Sequence, residues 1–500
     1  MSKFSNKVTL LNMLSSILLQ ICTMISGFII PRVILAYFGS DVNGLISSIT
    51  QFLSYISLVE GGIGSVVLAN LYKPLVEHDD NKLSSVVVTA NRFYKQIGLI
   101  FISFSVVLSI AYPIIFDTGF SFGYVCSLTL ILSISTTVQY IFSINLRTLL
   151  NADKRVYIVS FSQIVLTVFN ILLTIITVYV YPDVHVVKLV LAIAYFLQPI
   201  YYGWYVKRHY HINWRANVDN NLLKERWNGF AINFAAFVHN CTDIAVLTIF
   251  TDLKTVSVYS VYSIVTTGIK QLINSLINGL NPVIGQAYAR GDETELNLKL
   301  DLYEYIIMVL TCFLYTITAL LITPFVQLYT HGITDAQYFQ PLFGYLLVLS
   351  EAIYIVKYPH LHLAYSANKF KEIKIPAYIE AGINIVVSTS LVYKMGLIGV
   401  AIGTVIAMLF RMAFHVWFTK KMVANRKQSI FYKKLLLFCF ISTVSLMFGL
   451  FVVPLSTVSV WNWTLYAIIY SVFISALVLF VSAVFFKKEI QYIIHYMRTK

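Results

Sequence analysis

Residues 10–36 read LLNMLSSILLQICTMISGFIIPRVILA, 27 residues in which Arg32 is the one charged side chain. As a helix this run would rise about 40 Å, more than the ~30 Å hydrocarbon core of a bilayer. It is too long for a signal-peptide core, so with the basic start Met1–Lys7 it predicts an uncleaved first transmembrane span. Similar runs recur to Phe486. They predict spans near 10–36, 45–69, 92–115, 122–148, 157–181, 186–206, 228–250, 256–280, 303–328, 342–365, 376–394, 396–419, 435–454 and 463–486. Of the 500 residues, 58% are hydrophobic and 12% charged, about half the charge of an ordinary globular chain, which excludes a water-soluble fold. The fold class expected is therefore an all-α integral membrane protein of about fourteen transmembrane helices.

The net charge of +14 follows from topology and needs no nucleic-acid partner. With both termini placed in the cytoplasm, the inner segments hold 29 of the 36 Lys and Arg. The remaining seven are Arg32, Lys188, Lys254, Lys270, Lys357, Lys394 and Arg411, an asymmetry that the positive-inside rule explains. The five cysteines, Cys22, Cys126, Cys241, Cys312 and Cys439, lie inside apolar runs without metal-site spacings. Neither a metal site, a cofactor nor a hydrolytic triad is expected, and the chain does not read as an enzyme.

The first twelve spans divide into two similar halves. Phe38-Gly39-Ser40-Asp41 aligns with Phe250-Thr251-Asp252, Asn151-Ala152-Asp153-Lys154 with Ser366-Ala367-Asn368-Lys369, and Phe169-Asn170-Ile171 with Ile383-Asn384-Ile385, at offsets of 212 to 215. Halves with even numbers of spans share one orientation, which implies a pseudo-two-fold axis along the membrane normal. Transporters so built hold substrate between the halves and rock one against the other. The expected organisation is an N-lobe at 1–210, a C-lobe at 211–425 around a central cavity, and two additional helices with a tail at 426–500.

Charges inside the bilayer cost roughly 3 kcal/mol each on insertion scales, so they generally face a cavity or a partner. Span 8 has a polar face of Tyr259, Tyr262, Ser263, Thr266, Thr267, Lys270, Asn274 and Asn278, with Lys270 near mid-depth. Span 10 has Glu351, Tyr354, Lys357, Tyr358, His360 and His362, and Pro359 is placed to break its helix. Glu351 and Lys357 are close enough in sequence to neutralise each other. Gln139, Ser143 and Arg147 fall on one face of span 4; Asn233, Asn240 and Asp243 fall in span 7, and Glu380, Asn384 and Ser388 in span 11. Arg32 and Arg411 lie nearer the span ends, where snorkelling to headgroups competes with a binding role. Glu60 precedes Gly61-Gly62-Ile63-Gly64, which lacks the Lys-Ser/Thr of a phosphate loop and reads as a place of close helix approach.

Several of these segments resemble Wzx-type polysaccharide flippases, of the superfamily that includes MATE exporters and the lipid II flippase. The similarity rests on Pro31-Arg32-Val33-Ile34-Leu35-Ala36-Tyr37-Phe38-Gly39, Val59-Glu60-Gly61-Gly62-Ile63-Gly64-Ser65, and Leu149-Leu150-Asn151-Ala152-Asp153-Lys154-Arg155. In the second half it rests on Ala367-Asn368-Lys369-Phe370-Lys371-Glu372 and Gly396-Leu397-Ile398-Gly399-Val400-Ala401-Ile402-Gly403-Thr404. The resemblance implies transfer of an undecaprenyl-diphosphate-linked oligosaccharide to the outer leaflet of a bacterial cytoplasmic membrane, for capsule, O-antigen or a related polymer. It also implies membrane lipids, glycosyltransferases and a polysaccharide polymerase as partners. Basic cavity residues for the diphosphate and glycan would be Lys270, Lys357, Arg32 and Arg411, with Asn274 and Asn278. Glu60, Asp243, Glu351 and Glu380 would balance charge or bind a coupling ion. A MATE-like multidrug or cation exporter is the first alternative, and a membrane polymerase or glycosyltransferase the second.

Overall fold

The computed structural model describes residues 2–60, 63–219, 237, 241–277, 280–423, 426–452 and 459–498. Among them every regular element is helical. Among the described residues, eleven helices are long and apolar enough to cross a membrane. Leu479 and Phe480, like Val106 and Val107, stand exposed on such helices, while Ser48, Thr129 and Ser388 are fully buried. Lipid takes the place of an apolar core on the outside, and the polar groups turn inward. The chain is a multi-pass membrane protein.

Two compact units divide it, Met1–Ser257 and Val258–Lys500. The first contains α1 (Ser2–Leu53), α2 (Ile56–Glu60), α3 (Ile63–Glu77), α4 (Asp80–Ile115), α5 (Phe122–Val138), α6 (Ile144–Ala152), α7 (Val156–Val180), α8 (Val184–Ala194), α9 (Leu197–His209) and α10 (Cys241–Phe250). Where the sequence predicts a loop between the first two spans there is a kink at Gly39, whose φ of 80° lies in the left-handed region that glycine enters without a Cβ penalty. The second expected span is shared among the end of α1, α2 and the start of α3. α4 is this unit's spine. Its Leu83, Val87, Ala90, Tyr94, Ile97 and Phe101 recur at three- and four-residue spacing and are buried in the unit's core with Tyr112, three turns further on.

Most of the seventh expected span, with Asn233 and Asn240, lies outside the described residues. Its end, α10, belongs with the first unit by contact. Ser48 and Thr248 share a hydrogen bond of 2.7 Å, and Asn43 donates to Ser257 at 2.8 Å. Gly44 approaches the Leu253 carbonyl so closely that a Cβ there would collide with it. The compact units divide within α11 (Leu253–Ile277), after Ser257.

The second unit adds α12 (Asn281–Arg290), α13 (Glu293–Tyr329), α14 (Pro341–Val356), α15 (Tyr358–Ser366), α16 (Phe370–Met395), α17 (Leu397–Met422), α18 (Gln428–Met447), α19 (Val460–Phe485) and α20 (Lys487–Arg498). Asp292 caps α13 by accepting from the backbone N–H groups of Thr294 and Glu295, and Glu293 and Glu295 complement the positive helix end. α11 is not among the eleven strongly apolar helices, because Ser, Thr, Tyr and Lys occupy one side of it. α16 and α17 form a tight hairpin about Gly396. Gly403 lies against Ser388 so closely that a Cβ would meet its Oγ and backbone nitrogen. Such small-residue contact is how membrane helices approach each other.

Candidate functional site

A polar core runs through the second unit, and each helix contributes at one or two positions. On α11, Tyr262 donates to the Tyr338 carbonyl at 3.0 Å; Thr266 and then Lys270 follow one and two turns later. Opposite stand α14 and α15, two halves of one span separated at Lys357. Pro359 has no N–H for the carbonyl of Ile355, so the helix cannot run through. Tyr358 and Pro359 begin α15 instead, and Lys357 is left at the break.

Glu351 binds Lys270, with Nζ 3.0 Å from Oε1, and both side chains are nearly buried. The expected Glu351–Lys357 pair does not form. Six residues on a helix turn through about 600°, so the two side chains project about 120° apart. Lys357 is 3% exposed. Its Nζ lies 4.0 Å from the centre of the Tyr354 ring and 3.9 Å from Met408 Sδ, and among the described residues it forms no ion pair. The same Tyr354 ring is 5.1 Å from Lys270 Nζ, so one aromatic ring is shared between two ammonium groups. Asn274 is within hydrogen-bonding reach of Tyr358. Asn278 lies outside the described residues.

The α16–α17 hairpin closes the cluster. Arg411 Nη1 is 3.2 Å from Glu380 Oε2, and Arg411 Nε donates to His415 Nε2 at 2.8 Å. One and two turns along α16 from Glu380, Asn384 donates to Thr404 at 3.0 Å and Ser388 to the Val400 carbonyl at 3.3 Å. Lys357 has Glu380, Arg411, Glu351 and Lys270 as its electrostatic neighbours. The structure thus gathers Lys270, Lys357 and Arg411 with Glu351 and Glu380, three cations against two carboxylates.

The first unit holds the rest. Arg32 is on α1 and Asp243 is buried on α10. Glu60 accepts a hydrogen bond of 2.9 Å from Tyr140. Tyr140 lies on a π-helical turn, Gln139–Ser143, whose extra residue reorients the side chains of this span.

Sequence reasoning overlooked a second ionic cluster. Glu304, fully buried on α13, accepts from Arg426 Nη2 at 2.6 Å and from Lys434 Nζ at 3.1 Å. Asp301 joins both cations at 3.0 and 2.6 Å, and His360 Nε2 stands 3.5 Å from Glu304. Burial alone would lower the Arg426 value, but the facing Glu304 and Asp301 carboxylates more than offset it and hold the guanidinium above its ordinary value. Glu304 sits about three turns into α13, at the very start of the expected span 303–328; nothing linear relates it to Arg426, 122 residues later.

Neither a family model nor any curated protein matches the sequence. Solved structures do match. The lipid II flippase MurJ, in an inward closed conformation, aligns over 95% of this chain and all of its own with a TM-score of 0.72 at 16% identity. The chain has the fold of MurJ and the MATE transporters. An inward-facing multidrug resistance MATE family transporter of the MOP superfamily aligns over 81% of this chain and 96% of its own, with a TM-score of 0.63 at 14% identity. A point mutant of the Vibrio cholerae MATE transporter VcmN aligns over 85% and 97%, with a TM-score of 0.58 at 12% identity. Placed in this fold, the ion cluster lies within the second unit on α11, α14, α16 and α17.

Proposed function

We propose that the chain is a flippase of the Wzx type, moving an undecaprenyl-diphosphate-linked oligosaccharide from the inner to the outer leaflet of a bacterial cytoplasmic membrane by alternating access. The single observation behind this reading is Lys357, a buried ammonium at a helix break with aromatic and thioether neighbours and, among the described residues, no carboxylate in contact. Leaving a charge buried without a counterion costs several kcal/mol, and such charges within spans mark substrate pathways. An anion of reduced hydration is the complement to this place, and the diphosphate of a lipid-linked sugar supplies it. Lys270 and Arg411, each already beside a carboxylate, flank it; Asn274 is positioned for sugar hydroxyls. On this reading Arg32 belongs to the other half of the pathway, the fourteen-span layout arises from two six-span repeats and two extra helices, and both termini are cytoplasmic. Glycosyltransferases and a polymerase act before and after it, and the chain itself makes or breaks no covalent bond.

The test is reconstitution into vesicles containing an undecaprenyl-diphosphate-linked, fluorescently labelled oligosaccharide. An impermeant quencher added outside should reach the inner-leaflet lipid faster with the protein than without it, and Lys357→Met should remove at least nine tenths of that acceleration at equal protein content. Failure to move the lipid, with efflux of a cationic dye from the same vesicles, would replace this reading by a MATE-like exporter. Reporter fusions test the orientation: cytoplasmic after Asp80 and Asn217, external after Thr118 and Thr334.

A further inference from the structure

The cluster's charge count bears on how the substrate is bound. Among the described residues, Lys270, Lys357 and Arg411 carry three positive charges, and Glu351 and Glu380 two negative ones. A diphosphate joined to lipid at one end and sugar at the other keeps one negative charge on each phosphate. Its arrival turns an excess of one positive charge into an excess of one negative charge. In a site this nearly buried either excess is costly, and an ionisable group can relieve it by changing its protonation state.

We propose that the diphosphate binds by exchange: it takes Lys270 from Glu351, and Glu351 takes up one proton from water, so that the occupied cluster is neutral. The inference rests on the flippase reading. Glu351 is the acid suited to this because its partner is a lysine, a point charge on a flexible stem that can swing to a phosphate. Glu380 faces Arg411, a guanidinium that stays charged, and His415 fixes that guanidinium from its other side. Among the described residues, the groups facing Glu351 include Lys270 from α11, Tyr315 from α13, and Tyr354, Lys357 and Tyr358 along its own broken span, with Glu380 of α16 and Arg411 of α17 beyond Lys357. Three of these are phenols, which can hydrogen-bond a neutral carboxyl once the lysine has left. The Glu351 and Lys270 side chains are 11% and 12% exposed, enough for water to deliver the proton.

Isothermal titration of the purified full-length protein with undecaprenyl-diphosphate N-acetylglucosamine, in two buffers of different ionisation enthalpy, counts the protons. The wild type should take up about one proton per lipid bound at pH 7, and its affinity should fall up to about tenfold between pH 7 and 8. Glu351→Gln should take up almost none, with an affinity that no longer depends on pH, whereas Glu380→Gln should retain the uptake. Binding without uptake by the wild type overturns the exchange and leaves the flippase reading standing; undiminished uptake by Glu351→Gln overturns the assignment to Glu351. Absence of binding at any pH removes the flippase reading and the exchange with it.

Discussion

Two ion clusters buried in the same unit are built on different balances. The one formed by Glu304, Asp301, Arg426 and Lys434 matches two carboxylates to two cations, with every pair between 2.6 and 3.1 Å. The one formed by Lys270, Lys357, Arg411, Glu351 and Glu380 has an extra cation and leaves it on an aromatic face. A balanced, saturated network fastens helices, here α13 to α18 and to the segment before it. An unbalanced one at a helix break is held at a cost by the fold around it, and it is there that the proposed function puts the substrate's diphosphate.

The contrast is open to breakage by substitution, and Glu304→Ala should have the largest effect. It strands Arg426 and Lys434 in a buried place, so unfolding in detergent should be easier by about 3–5 kcal/mol, with protein lost from the membrane. A thermal melt matching the wild type would show that this cluster is not a fastening. Gly403→Ala pushes a methyl group into Ser388 and should cost about 1–3 kcal/mol by the same assay, loosening the hairpin that carries Glu380 and Arg411.

Lys357→Met should behave in the opposite way to Glu304→Ala. Removing the surplus cation should leave stability within about 1 kcal/mol of the wild type or raise it, while lipid export measured in cells at matched protein level falls at least tenfold. A variant that is both destabilised and still active would make Lys357 a structural residue. The smallest effect belongs to Asp79, outside both clusters. Its backbone bond from Lys82 N–H, then the Lys82 side chain, hold its carboxyl below the ordinary value. The cap therefore contributes above the unfolded-state value and is lost as pH falls through the lowered folded one. A melt of Asp79→Ala should differ from the wild type least at the acid end of a pH series.

Much of the architecture is legible from composition and periodicity, because lipid imposes one rule on every span: satisfy the backbone within a helix and keep the outside apolar. The polar face of span 8, the break at Pro359, and the placing of Glu351, Lys357, Glu380 and Arg411 within spans can all be read from local spacing. Pairing cannot. Glu351 and Lys357 are neighbours in sequence, yet the rotation of α14 separates them and a lysine 81 residues earlier takes the carboxylate. Glu304 and Arg426, 122 residues apart, meet only because α13 lies against the segment leading into α18. The kink at Gly39, in place of a loop, and the passage of α10 to the first unit depend likewise on which surfaces fit once the helices exist. Depth in the membrane is a property of a residue and its near neighbours, so the sequence by itself determines it; charge balance is a property of side chains brought together from distant helices, and the tertiary structure alone decided which cation was left over.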